Sequence, residues 1–257
     1  MLGNQGILSK DGDAQGLRGY NIQAPISSRH ATEEIQTDIV TIATRGYSAQ
    51  HLVNTIQSNG EWEGDIVVIS DTASILPARV IVVPTPSDSL WAVDLKTQLF
   101  MLSETSSRDD ISTFTQRLLY LDADMAANSR VQEYLDKVVW DPSCSIYMVK
   151  ERWYAKSQYN SGTMLLDRTH SQDMLSAWHT LIEEHHDAIL SQKLYSKDQW
   201  ALMELLNGDQ YKICPLPSGG VSFAADFLTH WLWGDNKTTF THWTSAKKEA
   251  GFNFKEV

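Results

Sequence analysis

The run Ile39-Val40-Thr41-Ile42-Ala43-Thr44 is apolar and β-branched, and its length predicts a short buried strand. Arg45-Gly46 supplies a turn, after which Ala49, Leu52, Val53 and Ile56 recur at helical spacing until Asn59-Gly60 stops the helix. Asp65 to Ser70 and Arg79 to Val83 read as the next two strands, the latter ended by Pro84 and Pro86. A helix is expected from Asp88 to Leu102, with Trp91, Leu95, Leu99 and Leu102 on one side. The polar segment Ser103 to Ser112 reads as a loop, and Leu118-Leu119-Tyr120-Leu121 as a fourth strand. This alternation of strands and helices predicts a Rossmann-like α/β sheet.

The second half is less regular. Ser145 to Val149 suits a strand, and Tyr159-Asn160-Ser161-Gly162 a turn leading into the apolar strand Thr163 to Leu166. Helices are expected from Asp173 to Ile189, with Met174, Trp178 and Leu181 on one face, and from Asp198 to Leu206. Residues 1–38 are polar and without sustained periodicity, and read as a flexible tail or extension ahead of one domain, 39–257. No internal repeat is evident.

The fourth strand stops abruptly at Asp122-Ala123-Asp124. In open α/β sheets, ligands bind outside the carboxyl ends of strands. Two carboxylates there form a hard, oxygen-rich corner suited to Mg²⁺ or Mn²⁺ holding a diphosphate. The bare spacing is weak, since Asp11-Gly12-Asp13 has it too, without a preceding strand, and reads as solvated loop. The apolar run before Asp122 is what distinguishes the second pair.

Composition narrows the partners. At 257 residues and 42% hydrophobic, the chain can bury a full core. A net charge of −11 argues against nucleic acid and anionic membranes, while one divalent ion would reverse the local sign for a phosphate-bearing ligand. Cys144 and Cys214 are too few for a disulfide scaffold and are expected as buried free thiols. No segment has the apolar length of a membrane span, and the N-terminus lacks a signal-peptide layout. The expected setting is the cytoplasm, or the Golgi or ER lumen if an N-terminal anchor is missing from this sequence. Asn236-Lys237-Thr238 is a sequon that does not decide the compartment. Trp231, Trp233 and Trp243 cluster in a polar stretch, suited either to packing or to stacking on sugar rings.

Five motifs in order, from about Ile39 to Lys248, resemble a GT-A glycosyltransferase. More narrowly, they are similar to glycosyltransferase family 8, which includes glycogenin and bacterial lipopolysaccharide galactosyltransferases. They are the first strand with Thr44 and Tyr47, Lys96 ahead of the acidic strand, Asp122-Ala123-Asp124, Tyr159-Asn160-Ser161-Gly162, and Asp198-Gln199 opening a helix. A weaker sixth, His242-Trp243-Thr244-Ser245-Ala246-Lys247-Lys248, keeps the spacing of the family's closing His and Lys, with Ser245 in place of Gly and no Pro-Trp.

The resemblance implies a GT-A mixed sheet flanked by helices, with a nucleotide-binding half (39–125) and a donor-sugar and acceptor half (126–257). It implies a retaining hexosyltransferase using Mn²⁺ (or Mg²⁺) and a UDP-sugar, with a glycan or other hydroxyl acceptor. Asp122, Asp124 and His242 are its implied metal ligands, with His230 competing for the imidazole position. Thr44, Tyr47, Lys96, Ala123, Gly162 and Lys248 would face the nucleotide and donor; Asn160, Asp198 and Gln199 would hold the sugar. From the residues alone, Lys96 also suits a solvated surface, Tyr47 a helix-start aromatic, and the His185-His186 pair a surface position. Tyr134, Tyr147, Tyr154, Tyr195 and Tyr211 are available as self-acceptors, none singled out, and a homodimer is kept as one assembly. Two other readings stay open: a GT-A pseudoenzyme that binds without turnover, and a sugar nucleotidyltransferase, for which Arg45-Gly46-Tyr47 is a poor phosphate loop.

Overall fold

The computed structural model describes residues 36–73, 75–102, 114–150, 159–191, 197–217, 220–223 and 238–242. The four apolar runs of the first half form β1 (Thr37–Ala43), β2 (Ile66–Ser70), β3 (Arg79–Val82) and β4 (Arg117–Leu121). All four are mutually parallel, in the order β3-β2-β1-β4. α1 (Gln50–Ser58) crosses from β1 to β2. The chain then moves outward to β3 and returns to pair β4 on the other flank of β1, so β1 and β4 border the crevice where strand order reverses.

The sheet continues through β7 (Tyr159–Asp167), antiparallel to β4, then β6 (Ile146–Lys150), antiparallel to β7, and β8 (Ile213–Pro215), parallel to β6. The mixed seven-stranded sheet that results matches the expected α/β class. A second, three-stranded sheet pairs β5 (Met125–Ala127) antiparallel with β10 (Phe240–His242), and β10 parallel with β9 (Val221–Phe223).

Strand alternation assigns residues to two cores. Val40, Leu118, Tyr120, Met164 and Leu166 face one side, packed with Leu90, Leu99, Met174, Trp178, Ile182 and Leu202. These come from α2 (Ser89–Asp94), α3 (Leu99–Leu102), α5 (Arg168–Ser191) and α6 (Lys197–Leu206). Ile39, Leu119, Leu121, Tyr147 and Leu165 face the other side, with Leu52, Val53 and Ile56 of α1 and Val131 and Tyr134 of α4 (Val131–Leu135).

Several expectations need correction. The helix expected from Asp88 to Leu102 is two short helices separated by a turn at 95–98, held by the backbone bonds Lys96 N to Val93 O (3.0 Å) and Thr97 N to Asp94 O (2.8 Å). Its apolar spacing is helical, but the Asp94 side chain accepts from Thr97 Oγ1 and Gln98 Nε2 and ends the helix there. Tyr159 to Gly162 is not a turn but the start of β7. The β6 pairing jumps from Met148–Met164 to Val149–Asn160, so Ser161, Gly162 and Thr163 bulge past β6.

Cys144 and Cys214 are not free thiols: they form a disulfide, with Cα atoms 5.8 Å apart. Parallel pairing of β6 with β8 sets Tyr147 opposite Cys214 and brings the two cysteines together across 70 residues of sequence. His186 is not a plain surface residue, since it stacks on Trp91 (centroids 4.7 Å apart) and reaches Asp88 at 3.0 Å, whereas His185 is exposed. Tyr134 and Tyr147, each 1% exposed, are core residues and not available acceptors. The sequon Asn236, the cluster Trp231, Trp233 and Trp243, and Tyr154 and Tyr195 lie outside the described residues.

Candidate functional site

Beyond Leu121 the chain leaves β4 and turns through Asp122-Ala123-Asp124 into β5, with Met125 N donating to Asp122 O at 3.1 Å. β10 runs antiparallel along β5 and sets His242 opposite Met125, directly after Asp124. Asn128 anchors this strand pair, its N donating to Thr239 O (2.8 Å) and its Nδ2 to Thr241 Oγ1 (2.8 Å). His242 Nε2 consequently lies 3.1 Å from Asp124 Oδ1 and 3.5 Å from Asp122 Oδ2. Asp124 and His242 are buried, and Asp122 is half-buried.

The bulge at the start of β7 closes the site from the other side. Asp122 N donates to Gly162 O at 2.9 Å, and Gly162 N donates to Asn160 Oδ1 at 2.7 Å. A Cβ on Gly162 would stand 2.6 Å from Asp122 Oδ2, 2.6 Å from His242 Cε1 and 2.7 Å from Asn160 Oδ1. Only a glycine leaves the carboxylate and the imidazole clear of the bulge.

Lys96 enters from the turn after α2. Its buried ammonium lies 3.2 Å from Asp122 Oδ1 and donates to Ser161 O at 3.4 Å, above the Tyr120 ring. Tyr120 Oη donates to the same Asp122 Oδ1 at 2.7 Å. The two oxygens of Asp122 are therefore differentiated: Oδ1 is held by Tyr120 and Lys96, and Oδ2 faces His242.

Asp122, Asp124 and His242 each present one ligand atom within 4.8 Å of the others, from one buried imidazole and two carboxylates. Imidazole with carboxylate oxygen is a donor set for Mn²⁺, and separations of 3.1 and 3.5 Å resemble the ~3 Å edge of an octahedron with ~2.1 Å bonds. The residues fit a divalent ion. Among the described residues, Asp141, Cys144 and Cys214 also cluster, but there the sulfurs are joined to each other.

The remaining expected residues sort by position. Thr44 is buried at the carboxyl end of β1, and Arg45 and Gly46 take positive φ of 59° and 77°. The Arg45 N–H donates to Asp71 Oδ2 at 2.9 Å, which fixes this turn, and Tyr47 follows, half-exposed. Ala123 is buried between the two acids. Gln199 is buried in the first turn of α6, which packs on β7. Asp198 precedes it in α6, its side chain outside the description; Lys248 and His230 lie outside the described residues altogether. Lys96, Asn160 and Gly162 thus meet Asp122, Asp124 and His242 in one cluster. Sequence reasoning did not single out Tyr120, although residues two apart on a strand share a face and the signal was there.

No protein-family model matches the chain, and no curated protein sequence is significantly similar to it. Its fold does match solved structures. The glycosyltransferase GlyE of Streptococcus pneumoniae TIGR4 superposes with a TM-score of 0.55 at 12% identity, over 82% of this chain and 55% of GlyE. The galactosyltransferase LgtC, solved with donor and acceptor sugar analogues, gives 0.55 at 15% identity, over 84% of this chain and 92% of LgtC. The bifunctional glycosyltransferase WbbM gives 0.53 at 13% identity, over 82% of this chain and 46% of WbbM. The chain spans about half the length of GlyE and of WbbM and nearly all of LgtC. At these identities the likeness is one of fold, that of the GT-A glycosyltransferases.

Proposed function

We propose that this protein is a metal-dependent, retaining glycosyltransferase that moves a hexose from a UDP-sugar to a hydroxyl acceptor. The observation that carries the reading is the convergence of Asp122, Asp124 and His242 at the carboxyl end of β4, beside a buried lysine and a glycine-lined bulge. Such a cluster suits a divalent cation, and a nucleoside diphosphate is the ligand such a cation would share.

Asp122, Asp124 and His242 would hold the ion, which supplies charge stabilisation to the departing UDP. Lys96 would add positive charge beside the diphosphate, in a setting where burial strengthens it. The end of β1, with Thr44 and Tyr47, would border the uridine, and Ala123 would let the backbone approach the ribose. Asn160, Asp198 and Gln199 would orient the hexose so that its anomeric carbon faces the acceptor. Lys248 would reach the phosphates. Retention is assigned to front-face attack, the acceptor proton passing to a donor phosphate oxygen. The Cys144–Cys214 disulfide favours an oxidising setting such as the Golgi or ER lumen over the cytoplasm.

UDP release from a panel of UDP-sugars, with Mn²⁺ or with EDTA, tests this on wild type and Asp124→Ala. Metal-dependent release from one donor, lost in the variant, is the expected result, with retained configuration in the glycosylated product. Nucleotide binding without release from any donor or acceptor would instead mark a pseudoenzyme, and an inverted product would overturn the proposed mechanism.

A further inference from the structure

α2 has six residues, too few to hold a helical conformation alone, so its placement depends on what grips it. Its last residue, Asp94, has no solvent exposure, and the lysine of the site follows two positions later. Within its own turn Asp94 accepts from Thr97 Oγ1 (3.1 Å) and Gln98 Nε2 (2.7 Å). From outside the turn it accepts from His179 Nδ1 of α5, which lies 2.9 Å from Oδ1 and 3.0 Å from Oδ2. The other ring nitrogen of His179 lies 3.4 Å from Glu183. At the opposite end of α2, His186, just past a kink in α5 at His185 (φ −117°, ψ 16°), stacks on Trp91 and reaches Asp88, the N-cap. Two histidines of α5, one before its kink and one after it, thus clasp both ends of α2.

We infer that His179 is a positioning residue for Lys96: through Asp94 it fixes the 94–98 turn and so sets the ammonium beside Asp122 Oδ1 and Ser161 O. The inference rests on the nucleotide-sugar reading of the site, because Lys96 is assigned there to the diphosphate. A lysine side chain has many rotamers, so a fixed root determines how often its ammonium is in place. The backbone of that root is the turn itself, with Lys96 N bonded to Val93 O at 3.0 Å. Without His179 a fully buried carboxylate keeps only the two neutral donors of its own turn. It then gains by opening towards water, and the turn moves with it. Asp122, Asp124 and His242 belong to other elements and keep their places. Tyr120 still donates to Asp122 Oδ1 when the ammonium moves, so the effect falls mainly on the diphosphate and only slightly on the metal.

The test measures Mn²⁺ affinity by electron paramagnetic resonance and UDP affinity in saturating Mn²⁺ by calorimetry. The variants are His179→Ala, His179→Asn, Lys96→Ala and the double variant His179→Ala/Lys96→Ala, each checked for folding by circular dichroism. His179→Ala is expected to bind UDP about tenfold more weakly, equivalent to ~1.4 kcal/mol, with Mn²⁺ affinity within about twofold of wild type because Tyr120 still holds Asp122. His179→Asn, whose amide nitrogen can take the place of Nδ1, is expected within about twofold of wild type. The double variant is expected to bind no more weakly than Lys96→Ala alone, because the two losses are one loss. Additive losses, or His179→Ala binding UDP like wild type, would overturn the positioning role while leaving the nucleotide reading intact. Wild type that binds Mn²⁺ but no UDP would overturn both. If His179→Ala does not fold, His179→Asn decides: tenfold weaker UDP binding despite native circular dichroism contradicts the inference.

Discussion

Tyr120 donates its phenol to Asp122 Oδ1 at 2.7 Å, and Lys96 approaches the same oxygen at 3.2 Å. Oδ2 is thereby turned towards His242. Partners behind a ligand commonly determine metal affinity almost as strongly as the ligand itself. Tyr120→Phe keeps the ring and the packing and removes only this bond. It is expected to lower Mn²⁺ affinity about tenfold with little change in thermal midpoint. Unchanged Mn²⁺ binding would show that Lys96 alone suffices to hold the carboxylate.

Gly162→Ala places a methyl group 2.6 Å from both Asp122 Oδ2 and His242 Cε1. Something must move, and overpacking of this kind costs about 1–3 kcal/mol. The expected outcome is a stable protein with transfer activity reduced at least about tenfold and weakened Mn²⁺ binding, read by steady-state rates over a metal titration. Wild-type rates in this variant would mean that the bulge does not shape the site.

The Cys144–Cys214 bond closes 70 residues containing β6, β7, α5 and α6, and so Asn160, Gly162 and Gln199. Cross-linking a loop of this size is worth up to about 4.4 kcal/mol in the chain-entropy account, of which disulfides typically deliver about 2–4 kcal/mol. The double variant Cys144→Ser/Cys214→Ser is expected to lose about that much in urea denaturation. Wild type, unfolded without reductant, should show no thiol reactive towards a maleimide. Two reactive thiols would restore the free-cysteine expectation.

Asp88 caps α2, accepting from Leu90 N (2.8 Å) and Trp91 N (3.0 Å). Burial opposes its ionisation, but those two N–H groups and His186 outweigh it, and the carboxyl sits below the ordinary range. A depressed folded-state value means that the unfolded chain binds the proton more readily. The stabilisation is thus present above the ordinary carboxylate value and lost as pH falls through the folded one. Asp88→Ala is expected to cost about 1 kcal/mol near neutrality and progressively less in acid. A cost independent of pH would mean that the carboxylate charge plays no part.

How much was legible in the sequence differs element by element. β1, β2, β3 and β4 could be read because each is a local apolar run, and Asp122 and Asp124 because they end one of them. The Asn160-Ser161-Gly162 motif was visible as an interruption, but whether an interruption is a turn or a bulge depends on strands elsewhere, here β4 and β6. The break at Lys96 escaped the periodic pattern because apolar spacing does not register the polar bonds of Asp94, with Thr97 and Gln98 in its own turn and with His179, 85 residues away. The disulfide escaped for the same reason, needing the pairing of β6 with β8. His242 was reached by resemblance of spacing; its place beside Asp124 follows from antiparallel pairing of β10 with β5, which nothing local encodes.

The most direct test of the metal–diphosphate site is a crystal grown with Mn²⁺ and UDP, with anomalous scattering recorded near the manganese edge. The account predicts one strong peak about 2.2 Å from Asp122 Oδ2, Asp124 Oδ1 and His242 Nε2, with the diphosphate on its open side and Lys96 facing it. Well-diffracting crystals with UDP bound and no peak among these three atoms would contradict it, leaving the cluster as an imidazolium ion pair with two carboxylates.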